Sequence, residues 1–151
     1  LIAIAHCTPP ARARIYDMVG KRAPLVASHV GAYDINPDPY NLQDWEMKKI
    51  AESGGVIGVI FMNYWLRPGE SKRGLNVITQ TLRAFIDAAG EDAVGLGTDF
   101  DGFTTPPSDL DNAAKMHCLT QRLLAEGFSA AQVRKILGGN ALRVLRQGWK
   151  R

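Results

Sequence analysis

At 151 residues and 46% apolar composition, the chain is long enough to bury one substantial core. Its 18 basic and 15 acidic residues leave a net charge of +3 spread along the chain, with no basic face interleaved with aromatics, which argues against nucleic acid as a partner. No apolar stretch approaches the roughly 20 residues that span a bilayer. Cys7 and Cys118 lie outside any C-x-x-C or zinc-ribbon spacing, which argues against a disulfide framework and is compatible with a reducing compartment.

The chain opens on Leu1-Ile2-Ala3-Ile4-Ala5-His6 without an initiator methionine, as expected of the middle of a domain. Leu1–Ala5 is the first of four short apolar segments, and Pro24–Ser28, Gly55–Phe61 and Ala93–Gly97 are the others. Such near-continuous apolar runs predict strands buried on both faces. Thr8-Pro9-Pro10 opens a helix over Ala11–Val19, with proline tolerated in the first turn and Gly20 as the stop. Asn41-Leu42-Gln43-Asp44 puts a capping residue three before an acid, so a helix is expected from Asn41 to Ser53, ahead of Gly54-Gly55. The polar residues 67–73, with their Pro68-Gly69 turn signal, are expected to form a mobile loop. Asn76–Ala89 carries Val77, Leu82, Phe85 and Ile86 near helical spacing and ends at Gly90. After the fourth run, Ser129 and Gln132 form a capping box beside the apolar pair Phe128 and Val133. Gly138-Gly139 breaks that helix, and Ala141–Gln147 makes the last one.

Strand–helix alternation predicts a parallel sheet with helices packed outside it. Four such units fit half of an eight-fold barrel or a small open doubly wound sheet, and length alone does not separate the two. The polar residues that close the strands carry the chemistry. His6 follows the first, His29 the second, and Asp99 with Asp101 the fourth, each at the C-terminal rim where parallel α/β folds assemble sites. His6 and His29 are 23 residues apart, about one βα unit, so adjacent strands can bring both imidazoles to one metal. Imidazole with nearby carboxylates suits zinc. His117 sits mid-helix without a metal-spaced partner and reads as a surface or packing residue. Cys7 should face away from His6 along an extended strand and reads as a small buried hydrophobe.

Taken in order, the segments Leu1–His6, Ala23–His29, Gly54–Val59 and Val94–Gly102 resemble the renal (membrane) dipeptidase family of metallopeptidases. The closing Asn140-Ala141-Leu142-Arg143-Val144-Leu145 looks like that family's C-terminal helix start, so the resemblance runs across nearly the whole chain. It implies the C-terminal half of a TIM-like (β/α)8 barrel over residues 1–151, with about four parallel strands and outer helices, the N-terminal half lying outside this chain. It also implies a two-zinc hydrolase of dipeptides or similar small amides, of which this segment supplies ligands for one ion, matching His6 and His29. The family's catalytic aspartate, which handles the proton of the attacking water, matches Asp99.

Two departures follow from the resemblance. The family's His-x-Asp pair and bridging Glu belong upstream of Leu1, so the segment alone is expected to be inactive and to need a complementing N-terminal half. The family's substrate-carboxylate arginine matches Tyr40, whose hydroxyl can hydrogen-bond a carboxylate without the bidentate charge of a guanidinium. Two alternatives stay open: a non-catalytic half-barrel that acts by associating with another chain, homo-oligomers included, and an amidohydrolase-type barrel acting on a cyclic amide.

Overall fold

Four parallel strands form one sheet in sequential order: β1 (Ile2–Ala3), β2 (Leu25–Val30), β3 (Val56–Val59) and β4 (Val94–Leu96). The computed structural model describes residues 1–66, 74–102 and 104–149, so the expected loop at 67–73 lies outside the described residues. β1 pairs Ile2 with Leu25 and Ala3 with Val26; β4 pairs Val94, Gly95 and Leu96 with Ile57, Gly58 and Val59. Both outer strands are shorter than their apolar runs, as is the central β3, and the outer pair each have one neighbour among the described residues. The central strands carry the core, with Leu25, Ala27, Ile57 and Val59 all buried. The near-continuous apolar pattern follows from that two-sided burial.

Helices α1 (Pro9–Val19), α2 (Asp44–Glu52) and α4 (Asn76–Ala89) connect successive strands, with a short α3 (Asn63–Leu66) after β3. The buried face of α4 is Val77, Ile78, Leu82 and Phe85, the helical spacing that the sequence displays. α2 starts three residues later than expected. Its cap is Gln43, whose backbone N–H donates to Glu46 Oε2 at 3.0 Å. Asn41 is instead drawn inward, where its Oδ1 accepts from Gly31 N–H and its Nδ2 donates to the carbonyls of Asn36 and Trp65. A buried loop backbone needs those partners, and the asparagine supplies them in place of capping.

α5 (Met116–Ala125), α6 (Ala130–Arg134) and α7 (Asn140–Gly148) complete the chain. The capping box of α6 forms: Ser129 Oγ accepts from Gln132 N–H and Gln132 Oε1 accepts from Ser129 N–H. A non-helical Gly138 interrupts the path into α7. Asn140 Nδ2 donates to the carbonyls of Glu91 and Val94, both at 2.8 Å. Arg143 donates to those of Gly54, Gly55 and Asp92 at 2.7, 3.2 and 2.7 Å. These bonds fasten α7 to the N-terminal ends of β3 and β4, beside a cavity of about 630 Å³ lined by Gly55, Asn140 and Arg143. The C-terminal rim of the strands is left for chemistry. Among the described residues, no helix is long and apolar enough to cross a membrane.

Candidate functional site

His29 sits near the end of β2, where the register with β3 is irregular. Ala27 pairs with Ile57 and Val30 with Val59, so three steps on β2 match two on β3. The extra residue is a bulge at Ser28–His29, a device that re-aims a side chain at the rim of a sheet. His6 lies beyond β1 in a turn with φ of +63°, and Asp99 lies beyond β4 with φ of +55°. With Asp101 at +65°, these are the non-glycine residues of positive φ among those described. Each such conformation costs on the order of 1–3 kcal/mol and clusters at functional sites. The turn also corrects the expectation for Cys7: His6 is not in an extended strand, so strict alternation does not apply, and Cys7 is half-buried.

Two glycines bring the β4 segment across the sheet toward β2. A Cβ at Gly58 or Gly97 would collide with the carbonyl oxygen of Ser28, and one at Gly97 would also lie 3.0 Å from His29 Cα. Their missing side chains permit the close backbone approach that carries Asp99 toward the histidines. There the backbone carbonyl of Asp99 accepts from Gly102 N–H at 3.0 Å and from Thr104 Oγ1 at 3.1 Å, which holds the turn.

His6 and His29 come together, Nε2 to Nε2 at 2.7 Å with ring centroids 4.7 Å apart. Ser28 Oγ lies 2.8 Å from His29 Nδ1 and orients the ring from behind, as a hydrogen bond to the far ring nitrogen does for a histidine that binds metal. Burial pushes the pKa of His29 below its ordinary value; the Asp99 carboxylate opposes that shift and His6 adds to it. Neutral imidazole, the form that burial favours here, is the form that binds metal. Two nitrogens on one tetrahedral zinc at about 2.0–2.1 Å would stand about 3.3 Å apart, so the pair needs only a small separation to share an ion. It fits as two ligands of a larger set; no group of three or more His, Cys, Asp or Glu able to hold a metal is found among the described residues.

Tyr40 comes from the loop between β2 and α2, where its backbone N–H donates to Asp38 Oδ1. Its ring stacks on Trp65 at 5.5 Å and 22°, and both rings lie near His6, at 6.2 and 6.1 Å. Trp65 is the residue that sequence reasoning missed. The signal was available, since Tyr64-Trp65 follow β3 as His6 follows β1. His117 is exposed on α5, with Nδ1 3.1 Å from Ala114 O and Nε2 3.5 Å from Cys118 Sγ.

The profile of the membrane dipeptidase family (peptidase family M19) matches residues 1–149. The chain belongs to the membrane dipeptidase family. An uncharacterized protein in the pqqA 5' region of Klebsiella pneumoniae is 40% identical over 131 residues, covering 85% of this chain and 48% of that protein. The dipeptidase ataJ of Aspergillus terreus is 31% identical, over 83% of this chain and 31% of its own length. A metallo peptidase from Rhodobacter sphaeroides, crystallised with a phosphinate mimic of the dipeptide L-Ala-D-Ala, superposes with a TM-score of 0.91 at 29% identity. That superposition covers 99% of this chain and 42% of the Rhodobacter chain. The four parallel strands and their helices are thus part of the TIM-like barrel of membrane dipeptidases, and the chain spans less than half the length of these relatives.

Proposed function

We propose that this chain is the C-terminal half of a zinc-dependent dipeptidase barrel, in which His6 and His29 hold one ion and Asp99 handles the proton. The observation that carries this reading is the pair of imidazole Nε2 atoms facing each other at 2.7 Å on the rim of adjacent strands. Bound zinc supplies a Lewis acid that polarises a carbonyl and makes water nucleophilic near neutral pH. Asp99 takes the proton of the attacking water and delivers it to the leaving amine, the task of a general base that becomes a general acid. Ser28 holds the tilt of His29 through Nδ1, and its hydroxyl can accept the Nδ1–H that leaves Nε2 free for an ion. The Tyr40–Trp65 stack walls the pocket beside His6, and the Tyr40 hydroxyl hydrogen-bonds a polar end of the substrate. The substrate class is a dipeptide or similar small amide, supported by the dipeptide mimic in the Rhodobacter relative.

A second reading is favoured by the incomplete ligand set among the described residues. The segment by itself is then an inactive half that needs ligands from a complementing N-terminal half. Kinetics and metal analysis on the protein with its upstream region, against this chain alone, test both. The longer protein should hydrolyse dipeptides with zinc bound, and the chain alone should not. Asp99→Asn in the longer protein should keep its zinc and lose roughly 10²–10⁴-fold in kcat. Near wild-type kcat in the metal-replete variant removes Asp99 from the mechanism. Zinc-dependent turnover by the 151-residue chain removes the need for a second half.

A further inference from the structure

Behind the rim lies a buried guanidinium that the mechanism does not use. Arg12 on α1 is 3% exposed, and all five of its N–H donors are directed at oxygens. Nε and Nη2 form a fork on Glu46 of α2, at 2.6 Å to Oε1 and 3.1 Å to Oε2. Nη1 donates to Cys7 O at 2.9 Å and Pro39 O at 3.1 Å, and Nη2 reaches Asn41 O at 3.4 Å. Cys7 is the residue after His6, and Pro39 is the residue before Tyr40. One planar group therefore ties the turn that carries the histidine to the loop that carries the tyrosine. Glu46 is itself held: besides the fork it accepts from Gln43 N–H at 3.0 Å and from Tyr16 Oη–H at 3.4 Å.

We propose that Arg12, aimed by Glu46, is a positioning residue that sets the place of His6 relative to Tyr40 and His29. The inference rests on the reading of His6 as a metal ligand. His6 stands in a left-handed turn that its own backbone does not favour, so tertiary contacts must hold it there. The Arg12 bond to the carbonyl of Cys7 is such a contact, made next to the ligand. A lysine at this position would carry the charge on a single point with three donors, enough for Glu46 but without the planar fork that spans both loop carbonyls.

Competition titration of zinc alone against a chromophoric chelator, on the protein with its upstream region, tests this. The variants are Arg12→Lys, Glu46→Gln and His6→Ala, with melting curves alongside. Arg12→Lys should stay folded at the assay temperature and bind zinc about 10–100-fold more weakly, the range for losing a hydrogen bond that orients a metal ligand. A stabilising role alone would lower Tm and leave the zinc affinity of the folded protein unmoved. Glu46→Gln keeps the guanidinium but loosens its aim, so a smaller loss of zinc affinity is expected. It also serves if Arg12→Lys fails to fold. Wild-type zinc affinity in a folded Arg12→Lys, or in Glu46→Gln if the lysine variant does not fold, while His6→Ala loses binding, overturns the positioning role and spares the ligand. Wild-type affinity in His6→Ala sinks the ligand assignment itself, and the role of Arg12 with it.

Discussion

Replacing Gly97 by alanine isolates the local feature on which the site depends. The added Cβ would fall on the carbonyl oxygen of Ser28 and lie 3.0 Å from His29 Cα, and both obstacles are backbone that no rotamer change can move. The same change at Gly95, two residues earlier in β4, meets only Val56 Cγ2 at 3.3 Å and Ile136 O at 3.9 Å. Overpacking costs about 1–3 kcal/mol, and a backbone obstacle puts Gly97→Ala at the upper end. For a unit of about 150–250 residues, about 3 kcal/mol lowers Tm by roughly 6–12 °C, and by less in a longer protein that melts as one unit. Gly95→Ala should stay within about 1 kcal/mol, because a side-chain methyl can give way. The two variants should also part in function. Gly97 leads directly into Thr98-Asp99, so relief of the clash displaces Asp99 from the histidines, and a displacement of about 1 Å can cost roughly 10²-fold in rate. Thermal melts and dipeptide kinetics on both variants, made in the protein with its upstream region, provide the measurement. Equal melting temperatures and equal kcat/KM for the two would refute the claim that the close approach of Gly97 to the Ser28 backbone places Asp99.

Tyr40→Phe should raise KM modestly with little change in kcat if its hydrogen bond is uniform through the reaction, as steady-state kinetics would report. Tyr40→Arg places a bidentate cation beside His6 and should improve hydrolysis of dipeptides over their C-terminally amidated forms, and an unchanged ratio would remove Tyr40 from the pocket. At the opposite end of the strands, Lys135 bonds Glu91 at 2.5 Å and Asp92 at 2.6 Å, and chiefly that lysine holds the Glu91 carboxyl below its ordinary 4.5. A carboxyl lowered in the folded state contributes stability that is present above its unfolded pKa and lost as pH falls through its folded value. Melting curves between about pH 6 and pH 3 should therefore fall more steeply for the wild type than for Glu91→Gln, and parallel curves would show that the pair contributes nothing.

Much of the scaffold was legible because it depends on local pattern. Buried parallel strands need continuous apolar runs, α4 needs apolar residues on one face, and α6 starts where a serine and a glutamine can satisfy each other's orphan N–H groups. Those requirements are written in neighbouring residues, and the four strands, the Asn76–Ala89 helix and the Ser129 cap could be read directly. The start of α2 could not. Gln43 and Asn41 both lie before Asp44, and their roles differ because Asn41 is needed by Gly31, Asn36 and Trp65, partners set by packing alone. The site divides in the same way. Its residue types and rim positions are sequence properties, as the spacing of His6 and His29 by one βα unit indicates. Their meeting at 2.7 Å depends on a bulge at Ser28–His29, a left-handed turn at His6 and the clearance left by Gly58 and Gly97. Trp65 and Arg12 join the site only through rings and carbonyls from distant parts of the chain. A single sequence marks which residues can do chemistry; where the side chains converge depends on non-local contacts that residue pattern does not encode.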